Sequence, residues 1–216
     1  MLVEHGANVN HVDEDGKTRV SPLYLALKDF LLPSEFVRTL LKYGAKFNFD
    51  HTMIRETLEA PGGLEYSHLL LRHTALFEAQ NRHDGPANFD LNLLNEELRK
   101  YYARCRDELE LMKSIKIEET NVSFFKILVN PDIGPYTRNE SIRNVFDASN
   151  VSKRFPIYGD LLCERFSKEV RFQKLVEEAT NSPCRILNCD RNSSHILLSN
   201  IISHLDESDL NNLALI

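Results

Sequence analysis

The chain has 216 residues, of which 42% are hydrophobic and 27% are charged, a balance typical of a folded globular protein rather than a disordered one. Tryptophan is absent and only 8 glycines occur, which favours helices over a turn-rich β fold. The formal net charge of -6 comes from dispersed acidic residues, and no basic cluster could follow a phosphate backbone. The composition therefore argues against nucleic acid as a partner.

The N-terminal sequence MLVEHGANVN lacks the basic stretch and the apolar region of a secretory signal peptide, and no apolar run reaches membrane-spanning length. We therefore expect a cytoplasmic or nuclear protein without a membrane partner. The cysteines are expected to be reduced in that compartment: Cys105, Cys163, Cys184 and Cys189. They form no CxxC pair and have no histidine at metal-ligand spacing, so neither a metal site nor another cofactor is predicted.

We attribute the four N-x-S triplets to chance or to helix capping rather than to glycosylation. They begin at Asn121, Asn139, Asn150 and Asn192.

An internal repeat opens the chain. LVEHGANVN at 2–10 matches LLKYGAKFN at 40–48. Between the two copies, Gly16 follows two aspartates, which is turn composition. Ser21 is a candidate N-cap, and Pro22 suits the first position of the helix that follows. The sequence therefore predicts a turn and then a helix after the first copy.

Two antiparallel helices are predicted in this region. In the first, Leu23 and Leu27 would face the core, and Ala26 would let the second helix approach closely. The second helix is predicted from apolar residues on one face, which are Phe36, Val37, Leu40 and Leu41. Gly44, like Gly6 in the first copy, is expected to end its helix in the left-handed conformation.

This pattern resembles the ankyrin repeat, with its Asp-x-x-Gly-x-Thr turn, Thr-Pro-Leu-His helix start and Gly-Ala-x-x-Asn ending. The resemblance implies stacked helix pairs over residues 1–50, although Tyr24 stands where the family has His and Arg19-Val20-Ser21 is inserted. Met1 falls inside a repeat, whereas stacked repeats generally need about three copies. We therefore expect a shortened product of a longer ankyrin protein, a chain lacking its first repeats, or a genuine late start.

Residues 51–90 are expected to form either one degenerate ankyrin-like helix pair or a spacer. Helical spacing in 51–60 and 64–81 is broken by Pro61, Gly62 and Gly63. His68 and His73 lie among leucines and are interpreted as core or surface histidines rather than metal ligands. NRHDGPAN at 81–88 has loop composition and predicts a domain boundary.

A long amphipathic helix is predicted from Asp90, its candidate N-cap. Its buried stripe comprises Leu91, Leu94, Leu98, Tyr101, Tyr102, Cys105, Leu109 and Met112. The opposite face carries Glu96, Arg99, Lys100, Arg104 and Asp107. A segment NVSFFKILVNP follows, and then a polar loop to about Arg138.

Further on, FPIYGDLL predicts a tight elbow between helices, in which Pro156 and Gly159 form the turn and a structural role is expected for Asp160. Leu175, Val176 and Ala179 continue the apolar face of the next helix, which Pro183 is expected to end.

The C-terminal segments resemble, in order, the PRANC domain of poxvirus ankyrin proteins and of ankyrin proteins from parasitoid wasps and some of their bacterial symbionts. The matching features are a Cys-x-x-Glu-Leu-x-x-Met-Lys helix, a short Ser-Phe-Phe helix, FPIYGDLL with a basic-aromatic helix, and HILLSNIISHLDESDLNNL. The resemblance covers about residues 100–216. It implies an all-α chain in which a short ankyrin stack precedes a helical PRANC domain over 91–216.

Residues 193–216 resemble a shortened F-box, because the Ile-Leu-x-x-Leu and Asp-Leu-x-x-Leu parts are present at the usual separation, whereas Ser193-Ser194 replaces Leu-Pro. The resemblance implies a partner-binding set of Leu197, Leu198, Ile201, Ile202, Leu205, Asp209, Leu210 and Leu213. From periodicity alone, the same aliphatic residues could equally complete the core.

The resemblance implies an adaptor without enzymatic activity of its own. The tail would dock on the Skp-type adaptor of a cullin ubiquitin ligase, and the ankyrin part would hold an unknown target protein. The alternatives are a ligase-independent ankyrin protein that sequesters a signalling partner of the NF-κB type, or a truncated remnant. No phosphate loop, metal-spaced cluster or supported Cys-His pair predicts an enzyme.

Overall fold

The computed structural model of the chain describes residues 7–11, 21–28, 33–45, 63–80, 94–147 and 150–187. For residue 147 and for residues 178–187 it describes the backbone alone. The regular structure in these ranges is helical: α1 Pro22–Lys28, α2 Ser34–Lys42, α3 Gly63–Ala79, α4 Glu96–Ser114, α5 Phe124–Val129, α6 Gly134–Thr137, α7 Glu140–Asp147, α8 Val151–Arg154 and α9 Gly159–Leu187. Lys116 and Ser123 form an isolated antiparallel bridge, and the same ranges contain no strand. The predicted all-α class is confirmed.

The chain divides into two compact units, Met1–Leu111 and Met112–Ile216. The division falls within α4.

The first helix of the first unit begins as its sequence predicts. Pro22 is its first residue, and the Ser21 hydroxyl accepts a hydrogen bond of 3.1 Å from the backbone N–H of Tyr24. This bond satisfies one of the N–H groups that have no partner within a helix. Leu23, Ala26 and Leu27 are buried, and α1 packs against α2.

The apolar face of α2 is narrower than predicted. Val37 and Leu41 are buried, and Leu40 is partly buried against the same core. The prediction for Phe36 is wrong, because 49% of this residue is exposed. Neighbouring residues on a helix point about 100° apart, so a core that fully covers Val37 leaves Phe36 at the margin.

The third helix, α3, is the segment whose helical spacing was predicted over 64–81, and it packs against α2. The buried hydroxyls of Ser67 and Thr74 bond within the helix: Ser67 donates to the Gly63 carbonyl at 2.5 Å, and Thr74 donates to the Leu70 carbonyl at 2.9 Å. These bonds remove the cost of burying a polar group without a partner. The core shared by α1, α2 and α3 contains Val9, Leu23, Ala26, Leu27, Val37, Leu41, Ala45, Tyr66, Leu69 and Leu70. The predicted helix at 51–60 and the predicted boundary at 81–88 lie outside the described residues.

Helix α4 starts later than predicted. Asp90 and Leu91 lie outside the described residues, and Leu94 precedes the helix instead of forming part of it. Asn95 caps the helix, because its side-chain oxygen accepts a hydrogen bond of 2.9 Å from the N–H of Leu98. The prediction for the buried stripe is confirmed for Leu94, Leu98, Tyr102, Cys105, Leu109 and Met112, whereas Tyr101 is half-buried.

In the second unit, a hydrogen-bonded turn follows the end of α4. The N–H of Ile117 donates to the Val122 carbonyl at 2.9 Å, and Glu119 takes the left-handed conformation with φ 61. The Ser141 hydroxyl donates to the Glu119 carboxylate at 2.8 Å, which fixes the exposed turn to α7. Left-handed backbone is unfavourable for a residue with a side chain, so these bonds must offset its cost.

Helix α6 lies inside the segment that was predicted as a polar loop before Arg138, and that prediction is wrong for residues 134–137. Ile133, Gly134 and Thr137 are buried. Asp132 accepts from the Gly134 N–H at 3.1 Å, and Thr137 donates to the Gly134 carbonyl at 2.9 Å. These two side-chain hydrogen bonds therefore close a helical turn.

Two of the N-x-S triplets serve as helix caps. Ser123 accepts from the Lys126 N–H at 3.2 Å and caps α5, and Asn139 accepts from the Ile142 N–H at 3.1 Å at the start of α7. Asn150 occupies the cap position of α8 but makes no capping bond through its side chain. The capping interpretation is confirmed for the first two, and the triplet at Asn192 lies outside the described residues.

Helix α9 packs against α5, α6 and α8. Pro183 was expected to end this helix, and that prediction is wrong, because the helix continues to Leu187. Proline has no backbone N–H, so the hydrogen bond from residue 183 to the carbonyl four residues earlier is missing. The neighbouring helical hydrogen bonds can persist. Leu175 and Val176 are half-buried, and the side chain of Ala179 lies outside the described residues.

Candidate protein-binding surfaces

The predicted partner-binding residues of the tail, from Leu197 to Leu213, lie outside the described residues. Their mutual geometry therefore stays a prediction. The described part of the chain contains the junction between the two sequence repeats, several exposed apolar residues of the first unit, and the predicted elbow of the second unit.

The two repeat copies are joined by a hydrogen bond. The side-chain amide of Asn10, at the end of the first copy, donates to the Gly44 carbonyl in the second copy at 3.0 Å. Asn8 shapes the turn that positions Asn10, because its side-chain oxygen accepts from the Asn10 N–H at 2.9 Å. Val9, between them, is buried in the core of the first unit. The turn at 8–11 is thus attached to the end of α2 by both polar and apolar contacts.

The end of α2 has the glycine cap that the sequence predicts. Gly44 has φ 80, and its N–H donates to the Leu41 carbonyl at 3.1 Å. The N–H of Ala45 donates to the Leu40 carbonyl at 2.9 Å. These are the two bonds of a Schellman motif. Gly6, the corresponding residue of the first copy, lies outside the described residues.

Several large apolar side chains of the first unit are exposed. Leu25 on α1 is 54% exposed, and Phe36 on α2 and Leu64 on α3 are each 49% exposed. The Ser34 hydroxyl donates to the Glu65 carboxylate, so the first turns of α2 and α3, which carry Phe36 and Leu64, are adjacent. Single exposed apolar residues are normal on protein surfaces, so exposure alone assigns no partner.

The histidines of α3 pack against aromatic rings. The His68 ring stacks on Tyr101 of α4 with 3.8 Å between ring centroids, and burial lowers the pKa of His68. Glu97 partly opposes that shift, whereas Arg104 adds to it. His73 lies 4.6 Å from the Phe77 ring by centroid distance. No group of three His, Cys, Asp or Glu side chains that could hold a metal ion occurs in the part of the chain that the structure describes.

The stacked ring of Tyr101 and its neighbour Tyr102 are both shielded from water. Burial raises the pKa of Tyr101 to about 12. Burial, together with the hydrogen bond that its hydroxyl donates to Glu78 at 2.5 Å, raises the pKa of Tyr102. The Tyr102 hydroxyl acts as a donor that ties α4 to α3.

The elbow at 155–162 is tightly packed. Phe155, Tyr158 and Leu162 are buried, which agrees with the predicted elbow, although the sequence reasoning did not single out Tyr158. A methyl group built on Gly159 would lie 2.6 Å from the Ser152 Cα and 2.9 Å from the Val151 carbonyl oxygen. Only glycine allows this approach of α8 to α9. Asp160 is exposed in the first turn of α9, where a carboxylate complements the helix dipole.

Aromatic rings and one arginine surround this elbow. Phe124 lies 5.0 Å from Phe155 by centroid distance, and Phe146 stacks on Phe166 at 3.9 Å. The Arg154 guanidinium lies 5.8 Å from the Phe124 centroid, within the range of a cation–π contact. The two rings of each pair are 20 or more residues apart in the sequence, so helical periodicity gave no signal that they would meet.

Sequence reasoning also missed Arg165. Its guanidinium donates to the Leu128 carbonyl at 3.0 Å and to the Asn130 carbonyl, and these two oxygens lie at the C-terminal end of α5. Burial lowers the pKa of Arg165, and Glu169 partly opposes that shift. A cation at the C-terminus of a helix complements the helix dipole as well as satisfying its last carbonyls.

Neither Cys105 nor Cys163 forms a disulfide bond. Burial raises the pKa of Cys163, and the Ser152 hydroxyl lies 3.8 Å from its sulfur. The side chains of Cys184 and Cys189 lie outside the described residues, so the reduced state of all four cysteines stays a prediction.

None of the described helices combines the length and the apolar character that crossing a bilayer would require. Comparisons of the chain with models of protein families, with curated proteins and with solved structures found no match.

Proposed function

We propose that the chain is an ankyrin–PRANC protein that acts as a protein–protein interaction adaptor, recruiting a target protein to a ubiquitin ligase of the Skp–cullin–F-box type. The tail at 193–216 docks on the Skp-type adaptor, and the ankyrin part holds the target. The chain itself has no catalytic role, because ubiquitin transfer belongs to other subunits of the ligase.

The tail sequence carries the proposal. Ile201, Ile202 and Leu205 match one apolar part of an F-box, and Leu210 and Leu213 match the next, with an acidic turn between them. On a helix, the residues of each part would share one face. A short helix pair of this kind gains most of its stability from packing, and docking into a groove on a partner supplies that packing.

The first unit supports the ankyrin part of the proposal. The spacing of the repeat copies coincides with a helix pair, α1 and α2, that ends in a glycine cap at Gly44. The Asn10 amide then links one copy to the next. A repeat protein needs such contacts between adjacent copies, because each copy contributes only part of a core.

The order of the helices from α4 onward supports the PRANC part of the proposal. The Cys-x-x-Glu-Leu sequence lies in α4, the Ser-Phe-Phe sequence forms the capped helix α5, and FPIYGDLL forms the elbow that leads into α9. This order is the one that the resemblance implies, and the tail follows it in the sequence.

The decisive experiment is a direct binding measurement with purified Skp-type adaptor. We expect the full chain to bind, and the double variant Ile201→Asp with Leu205→Asp to lose binding by about a hundredfold or more. Burying one such aliphatic side chain contributes roughly 1.5–3 kcal/mol, and about 1.4 kcal/mol corresponds to a tenfold change in affinity.

A matched control separates docking from a general effect of added charge. Ser199→Asp with Ser203→Asp introduces the same two charges, but on the opposite side of the predicted helix. We expect this control to bind like the wild type. Circular dichroism and the thermal midpoint must show that all three proteins are folded to the same extent.

Three other outcomes would overturn the proposal in different ways. Unfolding of the Ile201/Leu205 double variant alone would mean that the tail completes the core. Equal loss of binding in both double variants would mean that charge, and not the apolar stripe, decides the interaction. No binding by the wild type at micromolar concentration would refute the ligase role and leave ligase-independent sequestration, with Ser193-Ser194 in place of Leu-Pro as the residues to replace first.

A further inference from the structure

We draw no further inference here: the strongest candidate, the pair of exposed apolar side chains Phe36 and Leu64 on the adjacent first turns of α2 and α3, carries nothing, because nothing in the structure shows what covers it.

Discussion

Replacing Arg165 by methionine should destabilise the packing of α5 against α9. Methionine keeps much of the side-chain length but removes both donors, so the carbonyls of Leu128 and Asn130 lose the guanidinium that caps them. A hydrogen bond to a charged group contributes about 1.5–3 kcal/mol. Because Arg165 is only half-buried, and water can reach part of the site, we expect the two bonds together to contribute about 2–4 kcal/mol rather than their full sum.

Hydrogen exchange of the α5 amides is the appropriate assay, because it reports local opening even where global unfolding is not two-state. The Asn130 N–H, which bonds to the Lys126 carbonyl at 3.0 Å, is a suitable reporter. A loss of about 2–4 kcal/mol should speed its exchange by about 30- to 1000-fold. Arg165→Lys should lie between the wild type and Arg165→Met, because an ammonium group lacks the planar fork that serves two acceptors.

Lys168→Met provides the control. Lys168 is exposed on the same helix, and its replacement removes one positive charge in the same way. We expect its effect to stay within about 0.5 kcal/mol, as for most surface substitutions. If Arg165→Met and Lys168→Met change exchange of the α5 amides equally, then the two carbonyl contacts of Arg165 contribute nothing beyond charge, and the reasoning is refuted.

Three further outcomes are expected. Gly159→Ala should lower the free energy of unfolding by about 1–3 kcal/mol, because the new methyl group would meet the Ser152 backbone. A urea titration followed by circular dichroism measures this change. An unchanged midpoint would contradict the close approach of α8 to α9. Glu119→Gly should be more stable than Glu119→Ala by about 1 kcal/mol in the same titration, since both lose the carboxylate and only alanine keeps the left-handed penalty. In the folded chain the pKa of His68 lies below its ordinary value of 6.5, so the unfolded chain binds the proton more readily. The free energy of unfolding should therefore fall as pH drops below about 6.5, until the folded-state pKa is passed. His68→Phe should remove that part of the pH dependence.

The parts of the fold that depend on local chemistry follow from the sequence. Ser21 and Pro22 start α1 because a hydroxyl can cap a helix and a proline needs no N–H partner there. Gly44 ends α2 because it can take a positive φ without strain. Helical periodicity likewise predicts the burial of Leu98 and Leu109 in α4.

The failures have a different physical origin. Residues 88–95 include several types that cap helices, and local sequence does not single out Asn95, whose side chain makes the capping bond of α4. Phe36 is exposed because the core covers the side of α2 that carries Val37 and Leu41. Arg165 contacts a carbonyl 37 residues away, and no local pattern contains that information. The predicted tail site depends on contacts of the same non-local kind, which is why its spacing alone cannot decide between core and partner.

The bond between Asn10 and Gly44 also has a consequence for the order of folding. It joins residues 34 positions apart, and its acceptor is placed only when α2 has formed and ended at its glycine cap. Contacts between distant residues bear a larger loop-closure entropy and tend to form after local ones. The turn at 8–11 should therefore bind to the end of α2 late in folding, after α1 and α2 have packed together. Formation of the bond between Asn10 and Gly44 would then indicate that this helix pair has already assembled.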